Sequence, residues 1–215
     1  MSKTLKIALF GATGMIGSRI AAEAARRGHQ VTAFSRNPER VPADVANLKA
    51  AQADVTDAAS IAAGARGHDV VASAYAPPQD DLTQIDKVTR ALIEGTRAAG
   101  VKRLVVVGGA GSLEVAPGKQ LVDTEGFPEA YRAIALAHRD VLPILRAASD
   151  LDWTFFAPAA LIAPGERKGT FRTGANALIV DAQGNSSISA EDYAIAFVDE
   201  LEQGRFVHQL ATVAY

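Results

Sequence analysis

Two spacings of apolar residues take turns along this chain. Short, nearly continuous runs at Leu5–Phe10, Gln30–Ser35, His68–Ala74, Arg103–Val107 and Leu151–Phe156 read as strands, with a weaker one at Asn47–Ala53. Between them the period lengthens to that of a helix. Ile16, Ile20, Ala21 and Ala24 share one face, and Ile85, Val88, Leu92 and Ile93 mark a second helix over Leu82–Ala99, closed by Gly100. A third stripe, Tyr131, Ile134, His138, Val141 and Leu145, runs through Glu129–Ala148, where Pro143 predicts a kink or a break. A short helix around Ser60–Gly64 has Thr56 or Asp57 as its cap. Arg103–Val107 is apolar on both faces, as a central parallel strand must be. Glu114–Pro128 has no period and reads as a loop over a site, and Pro164–Ser187 is polar and glycine-rich apart from a short strand expected at Leu178–Val180. Ser189-Ala190-Glu191-Asp192 opens a helix to about Gln203 with a capping box, and the chain ends on a β-like run from Leu210.

Where the first strand stops, the sequence is Gly11-Ala12-Thr13-Gly14-Met15-Ile16-Gly17, three glycines at three-residue spacing that lead into a helix. Strand, glycine turn and helix in that order form the context of a dinucleotide-binding motif. Gly11 permits the turn, Gly14 lets backbone approach a pyrophosphate, and Gly17 permits close packing of the helix. Free N–H groups and the positive end of the helix dipole then face the phosphates, beside Thr13, Met15 and Ile16. Strands alternating with helices around this motif predict an α/β fold, a Rossmann-type doubly wound parallel sheet. One NAD(P)-binding domain is expected over residues 1–215, with a small C-terminal substrate lobe within about 159–190.

The second strand ends in Ser35-Arg36-Asn37-Pro38, where an NAD-selective site would carry Asp or Glu. A hydroxyl and a guanidinium suit a 2′-phosphate, so NADP(H) is preferred over NAD(H); the competing reading makes Arg36 a solvated loop residue. Asp54 and Val55, after the third strand, are adenine neighbours, or Asp54 is a turn residue. Ser73, Ala74 and Tyr75 should border the cofactor at the fourth strand end. Gly108 and Gly109 stand where backbone comes close to nicotinamide or substrate, unless that loop is merely flexible. Ser112 is the first hydroxyl there. Tyr131 and His138, seven residues apart, share a helix face and either point at the cofactor or pack with one polar tip satisfied.

Composition narrows this further. With 48% hydrophobic residues in 215, the chain can bury one substantial core. A net charge of −2 without a basic block argues against nucleic acid as partner, and no apolar run approaches a membrane span. No cysteine is present, which removes disulfides, thiolate metal sites and cysteine nucleophiles; no metal site is expected. No signal peptide precedes the first strand, so a cytoplasmic protein is expected, a monomer or small homo-oligomer acting on a small-molecule acceptor.

With these pieces in place the chain resembles the atypical short-chain dehydrogenase/reductases, in the NmrA-like NAD(P)H-binding branch and near its NADH-flavin reductases. The resemblance rests on the Gly11–Gly17 motif, Ser35–Pro38, Val107–Ser112, Ala157-Pro158-Ala159 and Ile188–Ala194. It implies a Rossmann sheet with a reduced substrate lobe, Pro158 among the cofactor-binding residues, and hydride transfer from NADPH to a flavin or another conjugated acceptor such as a quinone. Ser112 and His138 would orient or protonate that acceptor, with Tyr131 a lesser helper. The wider superfamily pairs a tyrosine with a lysine four residues on. Here Ala135 follows Tyr131, and no lysine lies in Glu129–Ala148. That departure weighs against alcohol–carbonyl chemistry and leaves a non-catalytic NADP(H) sensor as the alternative.

Overall fold

The computed structural model describes residues 3–78 and 80–215. Its first half alternates strand and helix: β1 (Lys6–Phe10), α1 (Met15–Arg26), β2 (Gln30–Ser35), β3 (Leu48–Gln52), α2 (Ala58–Ala65), β4 (Val70–Ser73), α3 (Gln84–Ala98) and β5 (Arg103–Val107). The second half carries β6 (Glu114–Ala116), β7 (Lys119–Gln120), α4 (Glu129–Asp140), α5 (Leu142–Ala147), β8 (Asp152–Ala157), β9 (Leu161–Ala163), β10 (Arg172–Ala175), β11 (Ser187–Ser189), α6 (Ala190–Gln203) and β12 (Gln209–Ala214).

Eight of these strands form one sheet in the order β10-β12-β8-β5-β4-β1-β2-β3, parallel throughout except for the antiparallel edge strand β10. The chain runs outward from β1 to β3, then returns to the other side of β1 at β4. The sheet is therefore doubly wound, and its direction reverses between β1 and β4, where strand ends leave a crevice for ligands. Alternation within each strand sorts side chains to two layers. Ile7 and Leu9 of β1 join α1 and α6 through Ile20, Ala24, Tyr193 and Phe197. Ala8 and Phe10 face the opposite way, into Phe34, Ile61, Val88, Leu92 and Leu145 beneath α2, α3 and α5. Phe155 and Phe156 of β8 divide in the same manner.

Asp57 caps α2, accepting from the Ala59 and Ser60 amides, while Thr56 donates to Asp54. Pro143 sits in the first turn of α5, so the long helical stripe is broken at Val141. There the missing proline N–H costs no helical bond. Two expectations need correction. Glu114–Pro128 is not a bare loop, because β6 and β7 pair as a small antiparallel hairpin. The strand expected at Leu178–Val180 lies instead at β10, bonded along β12. Leu178 and Ile179 are apolar because they pack on the two core layers, so their character reflects burial and not sheet pairing. Among the described residues no helix is long and apolar enough to cross a membrane.

Candidate functional site

The glycine turn lies at the carboxyl end of β1, and each glycine there has a different neighbour. Gly11 has φ +79°, and a Cβ on it would stand 2.7 Å from the Ala74 backbone. At Gly17 a Cβ would come within 2.1 Å of the Gly11 carbonyl oxygen. The fold itself demands both. Gly14 differs: its φ is −79°, and the nearest atom to an added Cβ is the Gly11 oxygen at 3.7 Å, an ordinary contact. Nothing in the protein requires glycine at that position, so the space it leaves open is space for a ligand. Gly14 is also the N-cap of α1 and offers no side-chain cap. Among the described residues none accepts from the N–H groups of Met15, Ile16 or Gly17.

Beside this turn runs a cleft of about 180 Å³, lined by Gly11, Thr13, Gly14, Phe34, Ser35, Arg36, Val55, Ala74 and Tyr75. Among the described residues, the buried Ser35 hydroxyl has no hydrogen-bond partner. Exposed Arg36 makes no hydrogen bond or ion pair among the described residues. An orphan hydroxyl and a free guanidinium at one strand end fit an anionic group. Tyr75 closes the cleft and donates from its hydroxyl to Gln84 Oε1 at 2.8 Å, burial pushing the phenol above its usual range. Asp54 takes the turn role: its carboxylate accepts from the Thr56 amide and hydroxyl at 2.8 and 2.7 Å, which holds it below the usual carboxylate range. It does not line the cleft.

A larger cavity of about 560 Å³ opens past the ends of β5 and β8, walled by Gly109, Leu121, Phe127, Pro128, Tyr131, Ile134, His138, Pro158, Leu161 and Ile162. A separate void of about 30 Å³, lined by Ser73, shares Tyr75 with the cleft and His138 with the cavity. Tyr131 stands 63% exposed at the mouth. His138 packs edge-on to Phe155, and burial pushes its pKa down to about 4. The ring is consequently neutral at pH 7, able to shape the wall or share a hydrogen bond through its one N–H, but it is not an imidazolium acid.

Several candidates are displaced from these spaces. Ser112 is buried, its hydroxyl meets no partner among the described residues, and it lines neither cleft nor cavity. The Ala110–Ser112 turn points it inward and presents the glycines instead. Gly108 is a packing glycine, since a Cβ there would strike the Phe155 ring at 2.1 Å. Met15 is exposed at the start of α1, while Ile16 leans on the core. Leu121, Phe127, Leu161 and Ile162 escaped the reading of sequence. Only the aromatic–proline pair Phe127-Pro128, set in an aperiodic stretch ahead of a helix, gave a signal.

A family model for NAD(P)H binding matches residues 11–203, spanning the glycine turn, the cleft and the cavity. The chain belongs to the NAD(P)H-binding family. The family match and the doubly wound sheet are consistent with an atypical short-chain dehydrogenase/reductase. A solved structure from Burkholderia pseudomallei, described as a "putative exported protein", is 71% identical, with a TM-score of 0.92 over 99% of this chain and 100% of that one. One from Bacteroides thetaiotaomicron, described as a "putative epimerase", is 41% identical at a TM-score of 0.91, covering 99% and 98%. A third, from Streptococcus pneumoniae, is described as a "putative NADH-flavin reductase". It is 32% identical at 0.85, covering 98% and 99%. What the family match shows is NAD(P)H binding.

Proposed function

We propose that this member of the family oxidises NADPH and passes the hydride to a planar conjugated acceptor, a flavin or a quinone, held in the apolar cavity. The observation that carries the proposal is that the glycine-turn cleft, at the ends of β1, β2 and β4, and the apolar cavity, past β5 and β8, lie on the same carboxyl edge of one parallel sheet. In this reading Gly11, Thr13, Gly14 and the free amides of Met15, Ile16 and Gly17 hold the pyrophosphate. Ser35 and Arg36 hold the 2′-phosphate, Val55, Ala74 and Tyr75 flank the adenosine, and Gly109 and Pro158 lie toward the nicotinamide. Bound there, the reduced nicotinamide supplies a hydride, and a proton from water completes the two-electron reduction of the acceptor.

The chain's own contribution is to stack, orient and keep water out, which such a transfer requires. Its acid–base equipment is slight. One turn beyond Tyr131 stands Ala135, buried, with its Cβ at 2.7 Å from the Cβ that Gly111 lacks. Alanine supplies no ammonium at that place, which disfavours the tyrosine–lysine chemistry of alcohol dehydrogenases and the epimerase reading alike. His138, neutral, serves as wall.

The test is steady-state oxidation of NADPH and of NADH by the purified protein, with riboflavin and with a naphthoquinone as acceptors. Saturable turnover favouring NADPH is the expected result. Tight NADPH binding without turnover of any acceptor would favour the redox-sensor reading.

A further inference from the structure

Resting on the reductase reading, we infer that the acceptor is uncharged: an unphosphorylated isoalloxazine or a quinone, rather than a flavin nucleotide. Among the described residues the cavity wall contains no lysine or arginine. Its polar side chains are those of Thr124, Tyr131 and His138, and none is cationic at pH 7. A dianionic phosphate carried inside would meet no counter-charge, and an uncompensated buried charge is strongly disfavoured.

Among the described residues the cover of the cavity offers no unpaired cation either. The segment that covers the cavity and continues into α4, residues 121–140, carries Asp123, Glu125, Glu129 and Asp140 against two arginines. Both arginines are occupied. Arg132 donates to the Val122 and Phe127 carbonyls and to Glu129, and its guanidinium lies 5.6 Å over the Phe127 ring. Arg139 pairs with Asp123 and Asp140. Their hydrogen bonds fasten the cover down and leave its outer surface acidic. On the opposite lip stands Leu161, 64% accessible and apolar. A phosphate reaching out of the cavity would thus pass between carboxylates and a leucine.

The contrast with the neighbouring cleft is internal to the molecule. There a free Arg36 and the α1 amides await anions; in the cavity the described wall is neutral. One chain has placed its anion-binding groups entirely on the cofactor's side, so the two ligands are sorted by charge.

Riboflavin and FMN test this directly, because they share one ring system and differ by the phosphate. Binding to the full-length protein saturated with NADP⁺ is read by quenching of flavin fluorescence, and turnover by NADPH oxidation. Riboflavin should bind at least about tenfold tighter than FMN, with a similar ratio in kcat/KM. The Leu161→Arg variant, which adds a cation at the lip, should narrow that ratio by improving FMN. Equal or tighter FMN binding, or no binding of either riboflavin or a naphthoquinone, would overturn the inference. Turnover with FMN preferred would leave the reductase reading standing while this one fell. Selective riboflavin binding without turnover would do the reverse.

Discussion

At the scale of single residues, the three glycines of the turn separate what the fold needs from what a ligand needs. A methyl on Gly17 would press into the Gly11 carbonyl at 2.1 Å, and the helix start would have to shift. Gly17→Ala should cost about 3 kcal/mol, lowering Tm by roughly 10 °C in a chain of this size. Gly14→Ala meets nothing closer than 3.7 Å and should leave Tm within about 3 °C. Its KM for NADPH should nevertheless rise at least about tenfold, because the methyl occupies the pyrophosphate's approach. Thermal melts and initial rates on the two variants separate the roles, and matching losses of stability would contradict the assignment.

Arg36 is read the same way. Free of partners among the described residues, it can be removed without disturbing the fold. Arg36→Ala should raise KM for NADPH about tenfold and change that for NADH less than about twofold. Equal changes for both cofactors would remove the 2′-phosphate from its role.

His138 links a residue to stability. Its folded pKa of about 4 lies below the 6.5 of an exposed imidazole. Between those values the unfolded chain binds a proton that the folded one refuses, so stability rises with pH through this window. It is complete above about pH 6.5 and falls as pH drops toward 4, with His138 accounting for a loss of up to about 3 kcal/mol. Urea unfolding at pH 7 and pH 4.5 should show a smaller loss for His138→Leu than for the parent chain.

At the scale of elements, α6 is tied into the molecule at its first turn. Ser189 caps it by accepting from the Asp192 amide at 3.0 Å. The capping box legible in the sequence is only half closed, because the Asp192 carboxylate does not return to the Ser189 amide. It accepts instead from the Lys168 and Gly169 amides and from the Tyr215 hydroxyl, all within 3.1 Å. Glu191 likewise accepts from the Gly165 amide and from Arg19. A polar segment with no element of its own is thereby strapped to a helix start, where the dipole favours carboxylates. Asp192→Ala leaves two half-buried amides and a phenol without an acceptor and should cost about 2 kcal/mol, read as a fall in Tm of roughly 6 °C. Ser189→Ala should cost nearer 1 kcal/mol. α1 is anchored at its other end by Glu23. Burial opposes its charge, but hydrogen bonds from Arg26, Arg27 and Arg167 outweigh that and hold it at about 2.

At the scale of the whole molecule, Ile188 of the small β9–β11 pair packs in the same apolar layer as Ile7, Val31 and Phe197. We propose on this basis that the C-terminal segment and the sheet unfold together, as one domain. A single cooperative thermal transition is expected, raised by saturating NADPH. Two resolved transitions, with only one shifted by the cofactor, would show a separate lobe.

The sequence by itself determined the order of strands and helices, the glycine turn and the β2 terminus. Each is a local matter: period, turn chemistry and strand-end residue types are written in consecutive positions. Even the break at Pro143 was legible, because a missing N–H acts on its own turn. Tertiary structure alone decided the cavity. Its wall gathers Leu121, Phe127, Ile134, Leu161 and Ile162 from three separate stretches, and no periodicity links residues that meet only after the sheet has formed. It also decided which polar groups are turned away. Ser112 has the right chemistry at the right strand end, yet a single turn of backbone points its hydroxyl inward. The glycines of Val107–Ser112 carried the same ambiguity, since a missing side chain looks alike in sequence whether a ligand or the Phe155 ring fills the space.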